Sequence, residues 1–211
     1  MNFNRHEAAW RGDAALERLA QAFVTICGVG AVGSNLAESL ARTGARRLRV
    51  IDRDRIEEGN LATQPWYRAD VGTPKVRVLS NVLYRAVGVT VEAENVELNL
   101  GNVKKLLKGA DLVVDAFDNS ASRQWVADHC REGEVACLHI GLAAGYAEVM
   151  WNDGYRVPPD PPGDVCDHPL ARNLVMLAVS VGAEAIIEFL ATGQKRNWSL
   201  TLTDLRIELY Q

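Results

Sequence analysis

Apolar positions along the chain change period repeatedly, and each change marks an element. Residues 5–22 carry Trp10, Leu16 and Leu19 at helical spacing, with a break at Gly12 because glycine weakens a helix interior. Residues 23–27 (Phe-Val-Thr-Ile-Cys) form a short apolar run that ends in glycines. Residues 34–43 return to helical spacing through Leu36, Leu40 and Ala41 until Gly44 stops them. A second strand over 49–52 leads through a polar loop to a helix over 75–87, with Val76, Leu79, Val82 and Leu83 on one side. Residues 90–96 read as a strand, 103–107 as a short helix, 111–116 as a buried strand, 121–130 as a helix and 135–140 as a further strand.

Strands alternating with helices in this rhythm predict a doubly wound, Rossmann-like α/β fold on a mostly parallel sheet, because parallel neighbours need crossover connections. After Gly141 the rhythm changes. Residues 148–151 read as an antiparallel strand, 153–169 as a long proline-rich loop of the kind that serves as lid or crossover, and 169–191 as one long, mostly apolar helix. Residues 198–209 alternate as a strand or hairpin whose phase slips at Thr203-Asp204. A bulge or turn there brings Trp198, Leu200 and Leu202 into line with Leu205, Ile207 and Leu209. The expected organisation is a single domain over 1–211, with a leading helix, a parallel core and an antiparallel C-terminal extension.

Composition changes this picture little. The 211 residues are 48% apolar and 24% charged, enough to bury a core of their own. A net charge of -4 without a basic stripe gives no support to a nucleic-acid track. Residues 1–6 hold no apolar signal core, and no uninterrupted apolar run is long enough to span a bilayer, so a cytoplasmic protein without a membrane partner is expected. Four cysteines, Cys27, Cys130, Cys137 and Cys166, include no CxxC pair; they predict neither a zinc ribbon nor a disulfide framework and suit a reducing compartment. Cys27, Cys130, Cys137 and His139 fall in predicted core elements and read as buried.

Chemistry enters at Gly28-x-Gly30-x-x-Gly33, which follows a strand and opens a helix. Glycines at these positions permit a tight turn, close approach of backbone to phosphate and close packing of helix on strand. Asp52, at the end of the next strand, stands where a carboxylate accepts ribose hydroxyls. Alone, these features favour a nicotinamide or flavin enzyme. Asp54, the run Asn60-Leu-Ala-Thr-Gln64, Gly72-Thr-Pro-Lys75 and Asp115-Ala-Phe-Asp118-Asn119 point elsewhere. All lie in loops at one sheet edge, and a lysine opening a helix opposite an aspartate that can hold magnesium fits phosphoryl or adenylyl transfer, whereas hydride transfer needs neither.

These segments, in this order, resemble the ThiF/MoeB/HesA family of adenylating enzymes related to ubiquitin-activating enzymes, over roughly residues 4–209. The resemblance implies ATP and magnesium as cofactors, and adenylation of a carboxylate on a small β-grasp carrier protein or a peptide. It assigns the ribose to Asp52, the phosphates to Lys75 with help from Asn60, magnesium to Asp118, and places Asp54 and Gln64 at the nucleotide. Arg5, in Asn4-Arg5, resembles the arginine that reaches the phosphates of the neighbouring subunit, which implies a homodimer.

The sequence departs from the family pattern at two points. Thr63 stands where the family commonly has arginine, so a phosphate contact is missing unless Arg53, Arg55 or Arg68 supplies it. The paired zinc cysteines are absent, leaving Cys166 in the proline-rich loop as a candidate nucleophile or persulfide carrier, activated by His168 and the start of the following helix, with a structural role as the alternative. Two other readings stay open at this stage: a catalytically weak nucleotide-binding partner module, and an NAD-dependent oxidoreductase.

Overall fold

The computed structural model describes residues 3–160 and 169–210, whose strands join into one eight-stranded sheet. Helices α1 (Arg5–Arg11) and α2 (Asp13–Gln21) meet at Gly12 and lead into β1 (Phe23–Cys27). Then come α3 (Ala31–Thr43), β2 (Arg47–Ile51), α4 (Lys75–Val87), β3 (Val91–Glu94), α5 (Val103–Leu106), β4 (Leu112–Asp115), α6 (Ser120–Glu132) and β5 (Ala136–Ala143). Strand β6 (Tyr146–Trp151) turns back antiparallel, α7 (Arg172–Thr192) follows, and β7 (Trp198–Thr201) with β8 (Arg206–Leu209) forms a hairpin. The strand order is β3-β2-β1-β4-β5-β6-β7-β8, parallel as far as β5 and antiparallel beyond it.

Every residue of β1 is buried because helices cover both faces of the sheet, and this is why its sequence is a continuous apolar run. Val24, Ile26, Val50, Val114, Leu138 and Ile140 pack with residues of α2, α3, α4 and α7. Cys27, Ile51, Val113 and Cys137 point the other way, into a smaller core with α5 and α6. The C-terminal ends of the central strands are level, since Cys27 pairs with Ile51 on one side and Asp115 on the other. The loops after β1, β2 and β4 therefore leave from one edge, where a doubly wound sheet receives its ligands.

Several boundaries differ from the sequence reading. Helix α3 begins at Ala31 rather than 34, because Gly33 lies inside it for close packing despite its poor helix propensity. Helix α7 begins at Arg172, so the backbone at Pro169 is not yet helical. The turn expected at Thr203-Asp204 is present between β7 and β8, but Leu205, within it, and Ile207 and Leu209, on the edge strand β8, are exposed. A further correction concerns α7 itself. By length and a mean hydropathy of 2.0 it is long and apolar enough to cross a membrane, yet half of that window is buried against α2, α3 and strands β5–β7, as a core helix is.

On the α6 face lies a fully buried polar cluster. His139 Nδ1 is 2.8 Å from Asp115 Oδ2, and its Nε2 is 2.9 Å from Asn152 Oδ1, so the ring is held from both ends, as the sequence reading of a hydrogen-bonded core histidine expects. Tyr155 stacks on the imidazole with ring centroids 3.7 Å apart. Arg123 of α6 donates to the Tyr155 hydroxyl and to the Ile140 carbonyl, each at 2.9 Å, and its guanidinium lies 3.5 Å from Asp115. Burial works against the charged form of Asp115, but Arg123 and the hydrogen bonds from His139 and the Phe117 amide outweigh it, and the carboxyl is held below its ordinary value.

Replacing Asp115 with asparagine leaves the Arg123 cation buried without its counter-charge, and a loss of about 3–5 kcal/mol of stability is expected. Because the folded-state value is lowered, the contribution of Asp115 is complete above the ordinary carboxylate range and lost as pH falls through the folded value. Urea unfolding of wild type and Asp115→Asn should show a constant gap from neutral pH down to about pH 4, closing below it.

Candidate nucleotide site

The glycine turn joins β1 to α3, and its three glycines meet different constraints. Gly28 has φ +89°, and a Cβ there would lie 2.8 Å from the Ala116 carbonyl oxygen. A Cβ on Gly33 would lie 1.8 Å from the Gly28 carbonyl oxygen. The packing of the chain itself forbids side chains at both. Gly30 is another matter: nothing lies within 4 Å of the place its Cβ would take. That open space stands at the start of α3, where the first-turn N–H groups have no helical acceptor, and a phosphate group fits there.

Asp52 fastens this turn to the neighbouring loop. It is buried, and its Oδ2 accepts the Val29 N–H at 2.6 Å while Oδ1 accepts the Asp54 N–H at 2.7 Å. Burial pushes its carboxyl above the ordinary value, against the opposing pull of Lys75 and of these two N–H groups. Each oxygen keeps lone-pair capacity for a further donor such as a ribose hydroxyl.

The Asp54 carbonyl accepts the Lys75 N–H at 3.0 Å, and the Asp54 carboxylate holds Lys75 Nζ at 3.0 Å. Lys75 is thus buried at the start of α4 and directed to the same strand ends as the glycine turn. Asp118 is exposed in the turn after β4 and has no ion-pair partner among the described residues. The cap of α6 is provided by Asn119, whose Oδ1 accepts the Ser122 N–H at 2.9 Å, so Asp118 is not committed to capping. One exposed carboxylate beside an open phosphate cradle suits magnesium, which takes one or two carboxylates together with phosphate oxygens.

Residues 60–64 are less free than the sequence implied. Asn60 Oδ1 accepts the Glu57 N–H at 3.0 Å, and the buried Gln64 Oε1 accepts the Trp66 indole N–H at 2.6 Å, so Gln64 is engaged in packing Trp66. Thr63 is tied to the glycine turn, because Asn35 Nδ2 donates both to its carbonyl and to that of Ala31. Two of the three arginines considered as substitutes at this point are engaged elsewhere: Arg53 pairs with Glu97 at 2.6 Å, and Arg55 donates to the Gly72 carbonyl at 2.7 Å. Sequence reading missed Arg172, whose Nη1 lies 3.4 Å from the Ala62 carbonyl across 110 residues of chain; no local signal reveals such a contact.

Arg5 is not part of this cluster. Its neighbour Asn4 donates to the Thr43 carbonyl at the far end of α3, and 13 helical residues separate that end from the glycine turn by about 20 Å. Cys166 and His168 lie outside the described residues. Cys27, Cys130 and Cys137 are free and buried as expected, and burial raises the thiols of Cys27 and Cys137 well above their ordinary values, which makes them poor nucleophiles.

The chain is 33% identical to the sulfur carrier protein adenylyltransferase of Thermus thermophilus, over 92% of this chain and 78% of that protein. It is 34% identical to the SAMP-activating enzyme E1 of Haloferax volcanii, over 78% of this chain and 64% of the relative. In fold it is similar to the crystal structure of Escherichia coli MccB with ATP, with a TM-score of 0.81 at 18% identity, covering 99% of this chain and 72% of that one. The ThiF family matches residues 3–174, and the chain belongs to that family.

Proposed function

We propose that this ThiF-family adenylyltransferase, working as one domain over residues 1–211 in the cytoplasm, uses ATP and magnesium to activate the carboxylate of a small β-grasp carrier protein or a peptide. The observation that carries the reading is the turn after β1, where the space left open at Gly30 adjoins the first-turn N–H groups of α3, a place that suits a phosphate group. The relatives' names support the acceptor class, being those of sulfur-carrier adenylyltransferases and protein-activating enzymes.

In this reaction a carboxylate oxygen attacks the α-phosphorus of ATP, and the oxygen bridging the α- and β-phosphates leaves with pyrophosphate. The nucleophile is already an anion, so no general base is required. What the protein must supply is alignment and positive charge against the mutual repulsion of carboxylate and polyphosphate. The glycine turn and the start of α3 seat a phosphate, the remaining lone pairs of Asp52 take the ribose hydroxyls, and Lys75 reaches the polyphosphate from its place beside Asp54. Asn60, whose Oδ1 takes the Glu57 N–H, would offer its amide nitrogen to the phosphates. Asp118 would hold magnesium, which supplies the divalent charge that screens the polyphosphate. The distance of Arg5 from the cradle within one protomer supports the arrangement in which it acts across a homodimer, on the partner's phosphates.

Exchange of labelled pyrophosphate into ATP, dependent on a carrier protein or peptide, tests the activity. Lys75→Ala and Asp118→Ala should each lower it by about 100-fold or more with the fold retained; exchange at the wild-type rate in both variants would remove the assignment. Gly30→Ala should fold normally and bind ATP weakly, whereas Gly33→Ala should lose stability, with a lower melting temperature, because its Cβ has no room. Mixing inactive Arg5→Ala with inactive Lys75→Ala should restore exchange, since one site of the mixed dimer then has both residues intact; no recovery would place Arg5 outside the reaction.

A further inference from the structure

We infer that Arg172, at the start of α7, binds the polyphosphate of ATP and supplies the charge that the 60–64 segment lacks at Thr63. The inference rests on the nucleotide site proposed above and adds to it a residue from the other end of the chain.

The argument is one of charge and position. ATP with its magnesium is still an anion, and its binding calls for cations at the glycine turn. Lys75 is shared with Asp54, Arg53 is bound to Glu97, and Arg55 holds a backbone carbonyl. Arg68, exposed in the turn over 68–70 and without an ion pair among the described residues, makes no described hydrogen bond to the 60–64 segment, which Arg172 does. Arg5 lies at the far end of α3. Arg172 has no carboxylate within ion-pairing distance among the described residues, and the first turn of α7 contains no acidic side chain. Its single described contact is a long one, 3.4 Å from Nη1 to the Ala62 carbonyl, so most of the five guanidinium N–H donors have no partner among the described residues.

Position completes the case. Ala62 directly precedes Thr63, and the Thr63 carbonyl shares the Asn35 amide with the carbonyl of Ala31, the residue after Gly30. Arg172 therefore stands against the backbone next to Thr63, which Asn35 ties to the first turn of α3. From there an arginine on α7 can offer its planar fork to a polyphosphate at the glycine turn, making charge-assisted bonds that threonine cannot. Arg172 is exposed, so its removal does not disturb a core.

Calorimetric titration with ATP-magnesium and with AMP, on wild type, Arg172→Ala and the double variant Arg172→Ala/Thr63→Arg, tests the inference. Arg172→Ala should weaken ATP binding by about 10- to 100-fold and AMP binding less, and arginine at 63 in the double variant should recover most of the loss. Unchanged ATP affinity in Arg172→Ala overturns it. So does an equal loss for ATP and AMP that Thr63→Arg leaves unrepaired, which is the mark of a structural residue. Failure of the adenylation reading looks different: wild type binds ATP without pyrophosphate exchange, and the Arg172 comparison still returns its own answer. Wild type that binds no ATP overturns both.

Discussion

The site depends first on the buried carboxylate of Asp52. Its two oxygens accept the N–H groups of Val29 and Asp54 at 2.6 and 2.7 Å, joining the glycine turn after β1 to the loop after β2. Burying a carboxylate costs free energy, as its raised pKa records, and the two backbone donors with the nearby Lys75 offset that cost. What the protein gains is register. Asp54, positioned by its own N–H, holds both the backbone N–H and the ammonium of Lys75, so one buried acid fixes the glycine turn and, through Asp54, Lys75.

A second buried acid does the corresponding work at the end of β4, under the opposite electrostatic balance. Asp115 is held below its ordinary value because Arg123 and His139 face it, whereas Asp52 is raised because Lys75 only partly offsets its burial. Asp115 Oδ1 accepts the Phe117 N–H at 3.1 Å, which sets the turn that carries Asp118. The first turn of α6 extends this support outward. Ser120 donates its N–H to Asp160 and its hydroxyl to the Pro158 carbonyl, each at 2.6 Å, and Arg123 reaches Tyr155. The chain leading away from β6 thus rests on the same helix start that adjoins Asp118, and the turns after β1 and β4 are each braced by a buried acid.

Most of the fold was legible because the parallel core writes its pattern locally. β1 and α4 have the bounds their apolar spacing implied, and Gly12 does divide the leading helices. The glycine turn, Asp52, Asp54 and Lys75 were legible as a set because the register of β1, β2 and β4 brings the strand ends level, a consequence of the fold class alone. What sequence could not supply was partnership. Nothing local says that Asn119 rather than Asp118 caps α6, that Gln64 is engaged by Trp66, or that Asp115, Arg123, His139 and Tyr155 form one cluster drawn from two strands, a helix and a loop. Edge strand β8 misled for a related reason: its alternation is genuine, but whether a face of the sheet is covered depends on helices elsewhere in the chain.

Helix α3 acts as a ruler in this molecule. Its N-terminal end faces the phosphate cradle, and its C-terminal end receives the segment that carries Arg5, through the bond from Asn4 to Thr43. A bidentate pair between Arg11 and Glu184 of α7 holds α1 at that far end, so the leading helix is not a loose arm free to fold back over its own site. In the homodimer proposed above, an arginine held about 20 Å from its own glycine turn would meet the phosphates of the second copy. Under that arrangement the two halves of the reaction have different requirements. Binding of ATP draws on the glycine turn, Asp52 and Lys75 of one chain, while stabilisation of the transferring phosphate draws on two. Turnover then follows the monomer–dimer equilibrium and nucleotide affinity does not, because only the first is linked by mass action to the partner's concentration.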